Sequence, residues 1–141
     1  MRHARAHLDR IAPATALSLY SGVIGIDYAS IAVGEAIHDE ALITTAIANL
    51  ESASRLLRGS TELDVVSGVA SGIPALLSVY RRYPRPALLE LAVALGENLL
   101  GRAVRIDDDT SWSNVAMSRA HNLTGFSSDA PPGFALGGTR Q

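Results

Sequence analysis

The amino-acid sequence predicts an all-α fold built of consecutive helical hairpins, and three observations support this class. First, Ala, Leu, Ile and Val supply most of the 48% apolar content, and aromatic residues make up only 5%. Such a composition favours packed helices over a β-sandwich. Second, apolar residues recur at helical spacing in two long segments. Third, each of these segments follows a more uniformly apolar one, so that buried and amphipathic helices alternate. The 141 residues suit a single domain.

The first hairpin is predicted over residues 22–58. Its first half, residues 22–37, contains only two charged side chains and is interpreted as a largely buried helix. The sequence HDE interrupts the pattern, and an amphipathic helix is predicted over residues 40–58. Its apolar face consists of Leu42, Ile43, Ala46, Ile47, Leu50, Ala53, Leu56 and Leu57. Gly59 and Ser60 are expected to end it.

The second hairpin repeats this order over residues 68–103. A largely apolar helix is predicted over residues 68–82, with a proline near its start, where a first helical turn tolerates it. The sequence YPRP predicts a turn, because proline also restricts the residue before it. An amphipathic helix follows over residues 86–103. Its apolar stripe consists of Leu88, Leu89, Leu91, Ala92, Leu95, Leu99 and Leu100.

Residues 104–124 are polar and lack a period, so we expect a loop that Trp112 anchors.

The two buried segments open with the same sequence, Ser-Gly-Val. Ser21 and Gly22 begin the first segment, with Gly25 close behind, and Ser67 and Gly68 begin the second. The 46-residue spacing suggests a helical-hairpin repeat. Serine can cap a helix N-terminus, and glycine permits close backbone approach. The alternative is that Ser-Gly is a common turn sequence, and this pair alone does not decide between them.

Charge and composition exclude several classes of function. The net charge of −2 and the pI near 6.0 provide no basic field, so nucleic-acid binding is not expected. No apolar run is long enough for a membrane span, and the N-terminus has no continuous apolar signal region. We therefore expect a cytoplasmic protein. The sequence has no cysteine, which excludes disulfides and any thiolate metal site within it.

Four histidines are candidates for chemistry. His3 and His7 lie at helical spacing four, which suits a metal, but they have no third ligand. His38 is interpreted as a helix-end residue, and His121 falls in the predicted loop. We therefore expect no metal site in this chain.

The acidic residues are interpreted as structural. The run Asp107–Asp109 is expected to be solvated, because consecutive acids cannot all face one ion. Asp64 could cap the helix that follows it, and Asp27 is one of the few polar residues near an inner-helix start. None of the serines at the turns has the companion histidine and aspartate of a catalytic triad.

Four segments in this order resemble the lanthionine synthetase C-like cyclases: SLYSGVIGI, DVVSGVASGIPALLSVYRR, LLELAVALGENLLGRA and SWSN…LTGFS. The resemblance runs from about Ser18 to Ser127 and is greatest to the cyclase domain of class II lanthipeptide synthetases. It implies a partial α/α toroid, a ring of helical hairpins. It also implies zinc-assisted addition of cysteine thiols of a precursor peptide to dehydrated Ser or Thr. The family's zinc is held by two cysteines and a histidine, in repeats that would follow this sequence.

The resemblance stops at the third turn, which in the family reads LTGFSHGAAGI. The sequence matches this turn, including Gly125, through Ser127. Ser128 then stands where the family has an active-site histidine, and a Pro-Pro pair interrupts the expected helix. We therefore divide the chain into a cyclase-like part, residues 1–127, and an irregular tail, residues 128–141.

These observations predict the N-terminal fragment of a cyclase domain, inactive by itself and without a cofactor of its own. A frameshift near Ser127 in the coding DNA would produce such a break. The exposed apolar faces of its helices are expected to favour self-association. The alternative is a non-catalytic helical-repeat module that binds a peptide or a protein partner.

Overall fold

Two consecutive helical hairpins form the body of the protein, as a computed structural model shows for residues 11–106 and 109–112. In the first hairpin, α1 (Val23–Ile37) is followed by α2 (Glu40–Glu51) and by a 3-10 helix, Ser52–Gly59. In the second, a 3-10 turn, Val69–Ser71, leads into α3 (Gly72–Arg82), and α4 (Pro86–Gly101) returns. A short 3-10 turn, Pro13–Thr15, precedes them all. The predicted all-α class and its hairpins are confirmed.

Local sequence explains where the helices begin and end. His38 adopts a left-handed conformation, with φ 58° and ψ 39°, and ends α1 while its N–H donates to the carbonyl of Gly34. The carboxylate of Asp39 then accepts the N–H of Leu42 at 2.9 Å and caps α2. Pro86 occupies the first turn of α4, as its fixed φ allows. The helix-end role predicted for His38 is therefore confirmed.

Two predicted helix limits differ from the structure by several residues, and the helix predicted to reach residue 103 ends at Gly101. The α-helix predicted to reach residue 58 tightens into a 3-10 helix from Ser52, whose hydroxyl donates to the carbonyl of Asn49 at 2.9 Å and competes with helical pairing. The helix predicted from residue 68 becomes α-helical only at Gly72, because the preceding three residues form the 3-10 turn.

The loop predicted over residues 104–124 is wrong at its start. A two-stranded antiparallel pair forms there: β1 (Ala103–Ile106) and β2 (Asp109–Trp112), in a register that places Ala103 opposite Trp112. Within each strand every second residue is β-branched or aromatic, an alternation typical of strands that the three aspartates between and beside them concealed. The indole N–H of Trp112 donates to the carbonyl of Leu99 at 2.7 Å, so the predicted anchoring by this residue holds.

One apolar core joins the two hairpins. Side chains from all four α-helices contribute to it, and most of its large members are completely buried. The largest buried side chains are Leu17, Ile24, Ile31, Leu50, Leu76, Val79, Leu88, Leu91 and Leu95. Burial of each such side chain contributes about 1.5–3 kcal/mol to folding. Within the described residues, no helix has both the length and the apolar character needed to cross a membrane.

Candidate functional site

The candidate site is a pair of turns at the end of the molecule where the inner helices α1 and α3 begin. We call residues 16–23 turn 1 and residues 62–69 turn 2. The C-terminal end of α4 lies beside turn 2, since the guanidinium of Arg102 donates to the carbonyl of Thr61 at 3.3 Å. Both predicted Ser-Gly pairs fall within these turns.

Two backbone hydrogen bonds close turn 1. The N–H of Val23 donates to the carbonyl of Ala16 at 2.8 Å. The N–H of Gly22 donates to the carbonyl of Ser18 at 3.2 Å. The chain therefore folds back on itself before α1 begins.

Turn 2 repeats this closure at positions 46 residues later. The N–H of Val69 donates to the carbonyl of Glu62 at 3.0 Å, and the N–H of Gly68 donates to the carbonyl of Asp64 at 3.0 Å. The two Ser-Gly sequences are thus equivalent turns of one repeat rather than a coincidence of common turn residues.

In each turn, the side chain four residues before the glycine of the Ser-Gly pair accepts backbone hydrogen bonds from the turn itself. The Ser18 hydroxyl accepts the N–H groups two and three residues later, at 3.1 and 3.3 Å. The Asp64 carboxylate does the same, with both N–H groups at 2.7 Å. The serines that we expected to cap, Ser21 and Ser67, contribute their backbone N–H groups instead. Asp64 likewise holds its turn rather than the helix itself.

The turn glycines are required for space rather than for a special backbone angle. Gly22 and Gly68 are both extended, with φ of −115° and −109°. A Cβ on Gly22 would lie 2.6 Å from the nitrogen of Ser18, and one on Gly68 would lie 2.6 Å from the carbonyl carbon of Glu62. Gly25 is equally confined, because a Cβ there would overlap the carbonyl of Leu19.

Two buried serine hydroxyls fasten turn 1 to turn 2. The Ser18 hydroxyl donates to the carbonyl of Val66 at 2.9 Å. The Ser71 hydroxyl accepts the N–H of Leu19 at 3.0 Å and donates to the carbonyl of Gly68 at 3.0 Å. Sequence reasoning did not find this pairing. The available signal was the recurrence of Ser or Asp four residues before each glycine.

A small recess with both polar and apolar lining lies on the surface of the first hairpin. The buried carboxylate of Asp27 accepts the amide of Asn49 at 3.1 Å, and Arg55 also lines the recess. Its volume of about 60 Å³ admits a few water molecules but no drug-sized ligand. The structural role that we expected for Asp27 fits this hydrogen bond.

Both hairpins begin on interlocked glycine turns. This arrangement agrees with the result of comparing the sequence with models of protein families. The family model for lanthionine synthetase C-like proteins matches residues 2–127. The chain belongs to this family. No curated protein and no solved structure matches it. Lanthionine synthetase C-like proteins are α/α toroids, so the two hairpins are consecutive units of such a ring.

The cysteine-free sequence and the described residues of this lanthionine synthetase C-like chain do not match the zinc ligands that the resemblance implies. The sequence has no cysteine to supply a thiolate. Within residues 11–106 and 109–112, no group of three His, Cys, Asp or Glu side chains could hold a metal ion. No chemical step of this chain is therefore assigned to a metal.

Several predicted residues fall outside the described part. These are Gly125, Ser128, His121, His3 and His7. The tail assigned to residues 128–141 also lies outside the described residues. The loss of the active-site histidine at Ser128 and the division after Ser127 remain predictions from the sequence.

Proposed function

We propose that this chain is the N-terminal part of a cyclase domain of the class II lanthipeptide synthetase type. The observation that carries the proposal is the family match over residues 2–127, together with the order of motifs that ends at LTGFS. The parent domain would bind a precursor peptide in which Ser or Thr has been dehydrated. A cysteine sulfur of that peptide would bond to the β-carbon of the dehydrated residue, and the α-carbon would take up a proton.

The chain alone is expected to be inactive in this reaction. Thiolate rather than thiol is the nucleophile, and an ordinary cysteine, with a pKa of about 8.5, is mostly thiol at neutral pH. A cyclase must therefore stabilise the thiolate and deliver the proton. This sequence supplies neither a thiolate zinc ligand nor, at Ser128, the histidine of the family turn.

Thiol consumption in a dehydrated precursor peptide tests the proposal. The purified chain and zinc are incubated with the peptide, and the remaining thiols are alkylated and counted by mass spectrometry. We expect the same rate of thiol loss as with zinc and peptide alone. Faster loss, with thioether rings found by fragmentation, would show that the chain is itself a cyclase.

Elemental analysis of protein purified without a histidine tag should find no stoichiometric zinc.

Reading the coding DNA downstream in every frame tests the origin of the chain. Cysteine and Cys-His motifs spaced like the family's zinc ligands are expected if the chain is part of a synthetase. Their absence would favour the alternative, a non-catalytic helical-repeat module that binds a peptide or protein partner.

The core shared by the two hairpins supports this alternative, because a module that folds by itself needs a hydrophobic core of its own. Fluorescence anisotropy with labelled precursor peptide, before and after dehydration, would measure its binding. Under either proposal we expect a cytoplasmic protein that does not bind nucleic acid.

A further inference from the structure

Equivalent positions of the two hairpins differ in exposure along one side. Three large apolar side chains that are buried in the first hairpin have counterparts 46 residues later that are open to solvent. The pairs are Ile31 at 0% exposed and Leu77 at 39%, Ile43 at 5% and Leu89 at 38%, and Ile47 at 6% and Val93 at 52%. We call Leu77, Leu89 and Val93 the open face. Val65 of turn 2, which is 50% exposed, lies at the turn end of the same hairpin.

The open face continues an interface that already exists within the molecule. In the first hairpin these positions belong to the core shared with the second, in which α1 packs on α3 and α2 on α4. The second hairpin repeats the apolar pattern, and no described residue buries it. An apolar surface that spans two helices favours association.

The opposite side of the molecule is more polar, although Val33, the counterpart of buried Val79, is 38% exposed there. Buried Leu91 and Leu95 of α4 correspond, 46 residues earlier, to exposed Thr45 and half-buried Asn49 of α2. The recess that contains the buried carboxylate of Asp27 lies on this side as well. Head-to-tail stacking would press an apolar face onto these polar groups and remove their water, which is unfavourable.

We propose that the chain forms an isologous dimer, in which the open faces of two copies pack together around a two-fold axis. An isologous contact covers both apolar faces and closes at two subunits, whereas head-to-tail contacts continue into larger assemblies. The alternative occupant of the open face is the segment of residues 113–141, which would leave the chain a monomer at every concentration. The dimer does not depend on the catalytic proposal, because a cyclase fragment and a binding module would present the same face.

Sedimentation velocity over a range of micromolar concentrations gives the first test. We expect a species of twice the 14.8 kDa chain mass. Val93→Glu or Leu89→Lys should raise the dissociation constant of the dimer by about tenfold or more, because each buries a charge in the contact. Ile37→Glu is the matched control, since Ile37 is a 62% exposed apolar residue at the far end of α1. It should leave the dissociation constant unchanged.

Single cysteines give a second test, independent of any loss of stability. The natural chain has no cysteine, so Val93→Cys or Leu89→Cys introduces one thiol on a neutral background. A two-fold contact brings only residues near the axis close to their own copies. The axis must pass through the open face, so at least one of these variants should give a disulfide-linked dimer under mild oxidation. Ile37→Cys should not. The proposal is overturned by a monomer at every concentration, by assemblies that grow beyond two chains, or by a dimer insensitive to both charge substitutions.

Discussion

The guanidinium of Arg82 on the second hairpin holds the carboxylate of Glu35 on the first, with Nη1 2.7 Å from Oε1. The hydroxyl of Tyr83 donates to the same oxygen at 3.0 Å, and Arg82 also lies over the ring of Tyr28. Glu35, Arg82 and Tyr83 lie at the C-terminal ends of α1 and α3, far from the interlocked turns. The hairpins are therefore joined by polar contacts at both ends, with the apolar core between them.

We expect the pair of Glu35 and Arg82 to contribute modestly to stability. Each side chain is about a third exposed, at 34% and 35%, so water screens their attraction. A double-mutant cycle with Glu35→Gln and Arg82→Gln, measured by urea unfolding, should give a coupling of about 0.5–1 kcal/mol that falls with added salt. Arg81→Gln is the control for loss of a neighbouring exposed charge. A coupling of zero at low salt would show that the contact is not maintained in solution.

Alkaline pH should destabilise the protein through Tyr83. Burial raises the pKa of Tyr83, and the hydrogen bond to Glu35 raises it further, since a phenolate cannot donate this bond and is repelled by the carboxylate. A raised pKa means that the folded state retains the proton longer than the unfolded state. The stabilising contribution is thus complete below pH ~10 and is lost as the pH rises through the raised pKa.

The measurement is the free energy of unfolding between neutral pH and pH ~11, for the natural chain and for Tyr83→Phe. The natural chain should lose stability above pH ~10, and the variant should lose less. The sequence contains no lysine and no cysteine, which removes two other sources of titration in this range. Tyr20→Phe, at a 71% exposed position, is the control. Identical pH dependence of all three proteins would refute the prediction.

Alanine at a turn glycine should be far more harmful than alanine at a helix glycine. Gly68→Ala would force a Cβ against the backbone of turn 2 and should cost about 2–3 kcal/mol or prevent folding. Gly22→Ala should behave alike, because the contacts are equivalent. Gly96→Ala is the matched control: no atom lies within 4 Å of its added Cβ, and it should stabilise α4 by about 0.5–1 kcal/mol. Equal effects at Gly68 and Gly96 would argue against the observed packing of turn 2.

Removal of the Ser71 hydroxyl should loosen turn 1, although Ser71 belongs to the other repeat. Ser71→Ala leaves the N–H of Leu19 without its acceptor and should cost about 1–3 kcal/mol. Hydrogen exchange should show faster exchange of the Leu19 amide in this variant. Ser67→Ala, which retains the backbone N–H that Asp64 binds, should change stability by less than about 0.5 kcal/mol. Unchanged exchange at Leu19 would mean that the two turns are not coupled through Ser71.

Glycine should be preferred to histidine at the end of α1. His38 has a left-handed backbone, which costs a residue with a side chain about 1 kcal/mol. Glycine removes this strain from the folded state, and it also stabilises the unfolded chain by increasing its conformational entropy. The first effect is the larger, so His38→Gly should raise the free energy of unfolding by about 0.5–1 kcal/mol. His38→Ala keeps the strain and should give no gain. Thermal unfolding of both variants decides, and equal melting temperatures would contradict the expectation.

The helices were predictable because their signals are local. Apolar spacing placed α1, α2, α3 and α4, and the sequence HDE contains both the residue that ends α1 and the Asp39 cap of α2. The β-pair was missed because three consecutive aspartates resemble a loop, although the residues around them alternate as in a strand. A charge run thus outweighed the weaker periodic signal of two short strands.

The site was predictable only in outline. The Ser-Gly pairs indicated where the turns lie, but the polar groups that hold them, Ser18 and Asp64, stand outside those pairs. The bond between Leu19 and Ser71 joins residues 52 positions apart, and no periodicity within one helix contains that information. The same holds for Glu35 and Arg82, which lie 47 positions apart.

The interlocked turns determine where this chain can change length. An insertion or deletion between Glu62 and Ser71 would shift Ser71 relative to Leu19 and carry the damage into the preceding repeat. The connection between α3 and α4 near Tyr83 is exposed for most of its residues and makes no such bond to turn 1. Homologues should therefore vary in length at the hairpin tips and keep the number of residues in their turns. A segment duplicated to add a repeat would have to begin and end at the hairpin tips.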